Sequence, residues 1–180
     1  MRVYSKQIGF TLIEALMVIA LFSVLASFAI PSYQRMIQNT QIRTATDSIL
    51  TGLQIARAEA VARNTKVQFD FRTGSAWTVC TTPAGNGSCP TTDDATTVQS
   101  RGASDGSSAN VTINTNGNNG PYVFTSLGGL DPAGALTIDI DNTALSSGAS
   151  RNLRVSVGAG GLARSCDPAL DASGTDPRRC

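Results

Sequence analysis

The stretch that decides the fold reads Gln7-Ile8-Gly9-Phe10-Thr11-Leu12-Ile13-Glu14, and an apolar run continues from it to Ile30, just before Pro31. From Phe10 to Ile30, every residue is apolar or small except Thr11, Glu14, Ser23 and Ser27. At 1.5 Å per residue this run makes roughly 30 Å of helix, the thickness of a bilayer's hydrocarbon core. We therefore expect a transmembrane helix over residues 10–30.

Glu14 is the one ionisable residue inside this run. An acidic side chain within a membrane helix costs about 2.5–3.5 kcal/mol on insertion scales, so it usually has a function and a partner. Two interpretations follow from the residue alone. Glu14 is either a tolerated acid near the interface of an ordinary anchor, or a functional carboxylate that needs a partner.

The residues before the run are basic, with Arg2 and Lys6 and no acid. A positive leader predicts a cytoplasmic N-terminus and an exported C-terminal part. A secretory signal would carry a small-residue cleavage site after its apolar region, and none is evident between Ile30 and Arg35. The natural cleavage point is the Gly9–Phe10 bond, which lies before the apolar region.

From Gly9 to Glu14 the sequence resembles the prepilin signal of type IV pilins and type II secretion pseudopilins, without a departure. The resemblance implies that prepilin peptidase removes the leader, residues 1–9, by cutting between Gly9 and Phe10. It also implies N-methylation of the new Phe10 amine. In a filament, Glu14 would pair with the Phe10 amine of a neighbouring pilin or pseudopilin, after assembly at an inner-membrane platform.

The composition bounds the rest of the chain. The 180 residues leave room for one ordinary domain after a leader and an anchor, and the net charge of +1 gives no overall signal for nucleic acid. Histidine is absent, and lysine occurs only at Lys6 and Lys66. Without the usual general base and the commonest metal ligand, we expect no enzyme activity, no cofactor and no metal site.

Four cysteines lie beyond the anchor: Cys80, Cys89, Cys166 and Cys180. An even number in an exported domain indicates disulfides formed in the periplasm, and four cysteines allow three pairings. Proximity in the sequence favours Cys80–Cys89 and Cys166–Cys180. A zinc site is the competing interpretation, but the spacings lack Cys-x-x-Cys pairs.

After Pro31 the pattern becomes amphipathic. Apolar residues recur at three- and four-residue steps, at Ile42, Ala45, Ile49, Leu53, Ala56 and Ala60. This spacing predicts one helical face, so residues 31–64 continue the anchor as a single long helix packed on a globular domain. Pro31 would kink the helix or mark its exit from the membrane, and Asn64 is the expected C-terminal stop.

The end of this helix is similar to the helix-to-strand junction of the GspH/FimT family. The matching residues are Leu53, Ala56, Arg57, Glu59, Ala60, Arg63 and Asn64. Arg57 and Glu59 are two residues apart and do not face each other. Both are either solvated on the outer face or hold the helix against the edge of a sheet.

Residues 65–180 read as short strands between turns, which predicts antiparallel sheets laid on the helix and an α+β fold. The predicted strands are Val67–Phe71, Ala76–Cys80, Thr97–Ser100, Asn110–Asn114, Tyr122–Thr125, Ala135–Ile140, Asn152–Val157 and Gly161–Arg164, and the predicted exposed loops are Pro83–Asp94, Gly102–Ala109 and Asn114–Gly120. The glycines from Gly158 to Gly161 predict a hairpin turn. Asp139, Asp141 and Asn142 suggest either a calcium site or the outward face of a strand.

The tail is rich in arginine. A Cys166–Cys180 bridge would bring Arg164, Arg178 and Arg179 near one another, in the neighbourhood of Arg151 and Arg154. Arginine clusters suit phosphate backbones. Some FimT-type members bind DNA for natural transformation through a Gly-Arg-x-Arg motif. The corresponding stretch here is Gly161-Leu162-Ala163-Arg164, in which only Arg164 matches. The alternative is a solvated, disulfide-closed tail.

Together these patterns predict a type IV pilin-like, single-pass protein of the bacterial inner membrane with its β-rich domain in the periplasm. The resemblance implies a minor pseudopilin of type II secretion, working by assembly into a filament. The alternative is a type IV pilus minor pilin, with FimT-like DNA binding.

Overall fold

The computed structural model describes residues 9–81, 87–105, 108–118, 120–171 and 173–180. One helix precedes nine strands in this part of the chain. They are α1 (Leu12–Arg63), β1 (Val67–Phe71), β2 (Trp77–Thr81), β3 (Thr97–Arg101), β4 (Val111–Asn114), β5 (Tyr122–Phe124), β6 (Leu130–Asp131), β7 (Leu136–Asn142), β8 (Leu153–Val157) and β9 (Ala163–Cys166). The chain divides into two compact units, Met1–Met36 and Ile37–Cys180.

The described part of the N-terminal unit is helical from Leu12 onward. The Thr11 hydroxyl accepts a hydrogen bond from the Glu14 backbone N–H at 3.3 Å, so Thr11 caps the first turn. The helix runs through Pro31. Of the described helices it is the one long and apolar enough to cross a membrane.

The other end of α1 is closed by a left-handed residue. Asn64 has φ 50°, and the Thr65 N–H donates to the Ala60 carbonyl at 3.2 Å. Asparagine tolerates this conformation better than most residues, which makes it a suitable residue just after a helix. The expected stop at Asn64 is confirmed.

The strands form two antiparallel sheets. The first has five strands in the order β3-β2-β1-β5-β6, and the second has four in the order β4-β7-β8-β9. All eight predicted strands are present; β1 has the predicted bounds, and the other seven have shifted ends. The sequence missed β6, which has only two residues and no alternation of its own. The last strand begins at Ala163 and not at Gly161, because Gly161 has φ 75° and belongs to the turn.

The core of the unit 37–180 lies between α1 and the two sheets. The predicted helix face is buried, with Ile42, Ala45, Ile49, Leu53, Ala56 and Ala60 all at most 1% exposed. It packs in one cluster with residues of both sheets, among them Phe69, Trp77, Ile138 and Val155. Burial on α1 begins at Ile42, so the amphipathic half is packed over a shorter length than residues 31–64.

Helix and sheet approach each other closely at Gly52. A Cβ atom on Gly52 would lie 2.7 Å from the Phe69 ring and 3.0 Å from the Trp77 ring. Real Cβ atoms do not come this near to neighbours, so only glycine fits here without a shift. The sequence pattern did not predict this contact, because glycine is a poor helix former and carries no hydrophobic signal.

The outer face of the five-stranded sheet is covered near Cys89. Cys80 and Cys89 form a disulfide, the Cys89 N–H donates to Asp70 Oδ2 at 3.1 Å, and Arg72 donates to the Cys89 carbonyl at 2.6 Å. Residues 83–86 of the predicted loop Pro83–Asp94 lie outside the described residues. The expectation of a fully exposed loop is wrong at Cys89, which is 2% exposed because Gln68, Asp70 and Arg72 bind its segment.

Candidate functional site

The segment of the predicted processing site lies before the first turn of α1. Gly9 and Phe10 have no regular secondary structure, and the Phe10 side chain is 85% exposed. Glu14 is also exposed, and its carboxylate makes no ion pair with a described residue. The arrangement leaves both the Gly9–Phe10 bond and the Glu14 carboxylate accessible. Cleavage, methylation and the Phe10–Glu14 pair stay predictions.

Arg57 and Glu59 have different roles. Arg57 Nε donates to the Gly128 carbonyl at 3.1 Å, so it ties α1 to the loop that connects β5 and β6. Glu59 instead accepts a hydrogen bond from Arg63 Nε at 2.6 Å on the helix surface. The structural interpretation therefore holds for Arg57, and the solvated one for Glu59.

The loop held by Arg57 also contacts the β8–β9 turn. A Cβ atom on Gly161 would lie 1.9 Å from the Gly128 carbonyl oxygen, and the Leu130 N–H donates to the Ala159 carbonyl at 3.1 Å. The Gly161 N–H closes the turn on Gly158 at 2.8 Å. The hairpin predicted from the glycines is confirmed, and its turn packs against the loop that connects β5 and β6.

The C-terminal tail folds back on β9. Cys166 and Cys180 form a disulfide, which is the pair that sequence proximity favours. The Asp167 N–H donates to the Arg178 carbonyl at 2.7 Å, and Asp167 and Arg179 form a parallel bridge. The tail therefore covers the edge of the sheet at Asp167.

The arginines of the tail are not arranged as one cluster. Arg178 donates two hydrogen bonds to the Asp176 carboxylate, at 3.1 and 2.7 Å, and these bonds lower the pKa of Asp176 to about 2. Arg164 is exposed on β9 in register with Ser156, and its guanidinium has no ion pair with a described residue. The disulfide brings Arg178 and Arg179 beside Cys166, whereas Arg164 does not line the cleft formed there.

That cleft has a volume of about 330 Å³ and is basic. It is lined by Arg43, Arg151, Leu153, Ser165, Cys166, Asp167 and Arg178. Arg151 contacts the mostly buried Asp167 carboxylate at 3.4 Å. Sequence reasoning missed Arg43, because this residue lies on α1, far from the tail in sequence, and no local motif marks it.

Asp139, one of the residues considered for calcium, is part of a strand pair. Arg154 Nε and Nη2 donate to its two carboxylate oxygens at 2.5 and 2.9 Å, across neighbouring strands β7 and β8. Arg154 therefore lowers the pKa of Asp139. Asp141 accepts a short hydrogen bond from Ser150. Within the described residues no cluster of three or more His, Cys, Asp or Glu side chains could hold a metal ion.

The fold is that of the type IV pilin-like proteins, with one long N-terminal helix packed on antiparallel sheets. Two family models match the sequence: "Type II transport protein GspH" over residues 45–161, and "Prokaryotic N-terminal methylation motif" over residues 4–30. The first covers more than half of the chain. The chain therefore belongs to the GspH family of minor pilins and pseudopilins and carries a type IV prepilin signal at its N-terminus.

Solved structures share the fold at low sequence identity. The type IV minor pilin FimU of Pseudomonas aeruginosa superposes with a TM-score of 0.54 at 15% identity, over 74% of this chain and 99% of that one. The minor pseudopilin EpsH of Vibrio cholerae gives 0.52 at 15% identity, over 72% of this chain and 99% of the other. These similarities show the fold.

A curated relative matches over a shorter stretch. The type IV major fimbrial protein FimA of Dichelobacter nodosus is 46% identical over 55 residues, which is 31% of this chain and 34% of that protein. The chain thus spans about a third of the length of the curated relatives it matches.

Proposed function

We propose that the protein is a minor pseudopilin of a type II secretion system. The observation that carries the proposal is the match to the type II transport protein GspH over residues 45–161, together with the N-terminal methylation motif over residues 4–30. Its work is assembly into a periplasmic filament, not catalysis. It takes a place at or near the filament tip.

Assembly begins with processing at the membrane. Prepilin peptidase cuts the exposed Gly9–Phe10 bond, and the new Phe10 amine is methylated. The apolar helix of each subunit then packs against those of its neighbours after release from the inner-membrane platform. Because the charges of the Phe10 amine and the Glu14 carboxylate are opposite, each offsets the burial cost of the other in that packed core.

The orientation follows from charge. The leader carries Arg2 and Lys6 and no acid, so the N-terminus stays in the cytoplasm and the unit 37–180 lies in the periplasm. The two disulfides support this placement, because such bonds persist in oxidising compartments. The protein is then a single-pass inner-membrane protein until it enters the filament.

A type IV pilus minor pilin is the second candidate. It is favoured by the fold similarity to the type IV minor pilin FimU and by the match to the type IV fimbrial protein FimA. In that setting Arg164, Arg178 and Arg179 are the residues to test for DNA binding. The Arg178–Asp176 pair weakens this idea, because the guanidinium already holds a carboxylate.

Deletion of the gene separates the two candidates. A pseudopilin predicts loss of exoprotein release with normal surface pili, and restoration by the wild-type gene. Loss of pili with normal release identifies a pilus subunit and contradicts the proposal. DNA binding would then be measured against salt concentration, for the wild-type chain and for a variant with Arg164, Arg178 and Arg179 changed to glutamine.

A further inference from the structure

One edge of the four-stranded sheet is only partly covered. The Gly158 N–H donates to the Leu162 carbonyl at 3.0 Å, so in the antiparallel β8–β9 ladder the even-numbered residues of β9 bond to β8. The N–H and C=O groups of Ala163 and Ser165 point the other way. No described residue pairs with them, because the tail meets this edge only from Asp167 onward.

An apolar cleft adjoins the start of β9. It lies between α1 and the β8–β9 turn and is lined by Gln54, Arg57, Ala58, Val61, Ala62, Gly161, Leu162 and Ala163. Val61 is 51% exposed and Leu162 is 70% exposed. Within the described part of the unit 37–180, only Ile37 and Leu127 are exposed apolar side chains of this size elsewhere. Leu127 is adjacent to Gly128, where a Cβ atom would lie 3.3 Å from Val61.

The basic cleft adjoins the other end of the same strand. Its lining includes Ser165, Cys166 and Asp167 at the end of β9, and Arg43 of α1. Arg151 and Arg178 have carboxylate partners in Asp167 and Asp176. Arg43 is exposed and makes no ion pair with any residue in the described ranges, so the basic cleft can bind one further negative charge.

We propose that the open edge of β9 binds an extended segment of a neighbouring filament subunit. The segment adds a strand beside Ala163 and Ser165, places a large apolar side chain against Val61 and Leu162, and places an acidic side chain beside Arg43. Main-chain hydrogen bonds supply affinity in this mode of binding, and the two clefts supply specificity. This inference rests on the proposed function in one respect, namely that the segment comes from another subunit of the same filament.

The spacing of the two clefts limits the sequence of the segment. A strand rises about 3.4 Å per residue, so the four steps from Ala163 to Asp167 span roughly 14 Å along the edge. Side chains four residues apart in a strand point to the same side. The segment therefore carries its apolar and acidic residues about four positions apart, with β-forming residues between them.

The first test uses the purified full chain in detergent and a labelled, capped nine-residue peptide of threonine and valine with Leu and Asp four positions apart. We expect saturable binding, measured by fluorescence anisotropy. Binding should fall at least tenfold for Arg43→Glu, while Arg43→Lys retains most of it. It should also fall for a peptide with Lys in place of Asp, and for one with alternate backbone amides methylated. Equal binding in these comparisons overturns the proposal.

The second test identifies the partner in cells. The photoreactive residue p-benzoylphenylalanine replaces Ser165, and in a control it replaces Gln99, an exposed residue on β3 at the edge of the other sheet. We expect an adduct from position 165 to an acidic, extended segment of another subunit, and its loss with Arg43→Glu. An adduct to a helix or a basic segment overturns the proposal, as does no adduct from a chain found in filaments.

The two failures are distinguishable. A chain that never enters a filament contradicts the proposed function, and the peptide measurement still tests the β9 edge by itself. A chain that enters filaments normally but binds neither the peptide nor a neighbouring segment contradicts only the proposed binding at the β9 edge.

Discussion

The indole N–H of Trp77 donates a hydrogen bond to the Ser48 hydroxyl at 2.8 Å, with both residues buried. This bond joins β2 to the helix four residues before Gly52, where a Cβ atom would lie 3.0 Å from the Trp77 ring. Buried polar groups are costly without a partner, so the serine is what allows tryptophan to fill this position. The pair fixes the depth at which the helix sits on the five-stranded sheet.

Ser48→Ala should lower the free energy of unfolding by about 1–3 kcal/mol, because it leaves the buried indole N–H without an acceptor. Chemical denaturation of the detergent-solubilised chain measures this loss. The double variant with Trp77→Phe should cost less than the sum of the two single changes, since the second change removes the unpaired donor. Additive costs would mean that the hydrogen bond contributes nothing.

Gly52→Ala should also destabilise the unit 37–180, by about 1–3 kcal/mol, because the new methyl group overlaps the Phe69 ring. The change replaces glycine with the best helix former, so propensity alone predicts stabilisation. Gly148→Ala is the control, as a Cβ atom there meets nothing within 4 Å. If Gly52→Ala raises the denaturant midpoint of unfolding, helix and sheet do not approach each other as closely as the structure shows.

Gly161→Ala should disrupt the β8–β9 turn. Its φ of 75° costs an alanine roughly 1–2 kcal/mol, and the methyl group would collide with the Gly128 carbonyl. Gly160→Ala is the adjacent control, since a Cβ atom there meets no atom within 4 Å. Hydrogen exchange of the Leu130 N–H, which bonds to Ala159, reports the damage directly. Equal exchange rates in the two variants would contradict the close contact between the β8–β9 turn and the β5–β6 loop.

The Asp139–Arg154 pair should make stability dependent on acid pH. The hydrogen bonds from Arg154 hold the pKa of Asp139 below its usual range, so the pair stabilises the fold above about pH 4. That contribution is lost as pH falls through the lowered pKa. It is on the order of 0.5–1 kcal/mol, because both side chains are partly exposed.

Asp139→Asn should therefore reduce stability at pH 7 and flatten its decline between pH 4 and pH 2, measured by denaturation across that range. Asp47→Asn, at an exposed position on α1, serves as the control. An unchanged decline in the Asp139 variant would show that the pair does not control the acid response.

Glu14→Ala should exclude the protein from filaments. We expect incorporation to fall at least about tenfold, because removing one member of a buried ion pair leaves the other charge unpaired. Quantification of the subunit in sheared filaments, beside its level in membranes, measures the effect. Glu14→Gln separates charge from size and should behave like the alanine variant. Normal stoichiometry of either variant would remove Glu14 from the assembly step.

The elements that sequence could predict are those with a local period. The buried face from Ile42 to Ala60 repeats every three or four residues, and only one face of a helix satisfies that spacing. Asn64 could be predicted as a stop because few residues tolerate its backbone conformation. The disulfides follow from proximity along the chain, which is also a local property.

The elements that it missed depend on other parts of the chain. The two-residue strand β6 exists only because β5 pairs with it, and the burial of Cys89 depends on Asp70 and Arg72. The sequence predicted that Arg164, Arg178 and Arg179 lie together near Arg151 and Arg154, whereas the cleft includes Arg43 from α1 and does not include Arg164. No pattern within the tail could indicate a residue that the fold brings from elsewhere.

The sequence by itself determined the long helix, its apolar and amphipathic halves, the β-rich domain and the GspH-like character of the chain. Each of these depends on residues close together along the chain, where period, capping and motif act directly. Only the tertiary structure decided which side chains share a cleft and which strand edge stays open. Those features depend on how closely the helix packs on the sheets and on where the tail contacts β9. Both are determined by packing between residues that are far apart in the sequence.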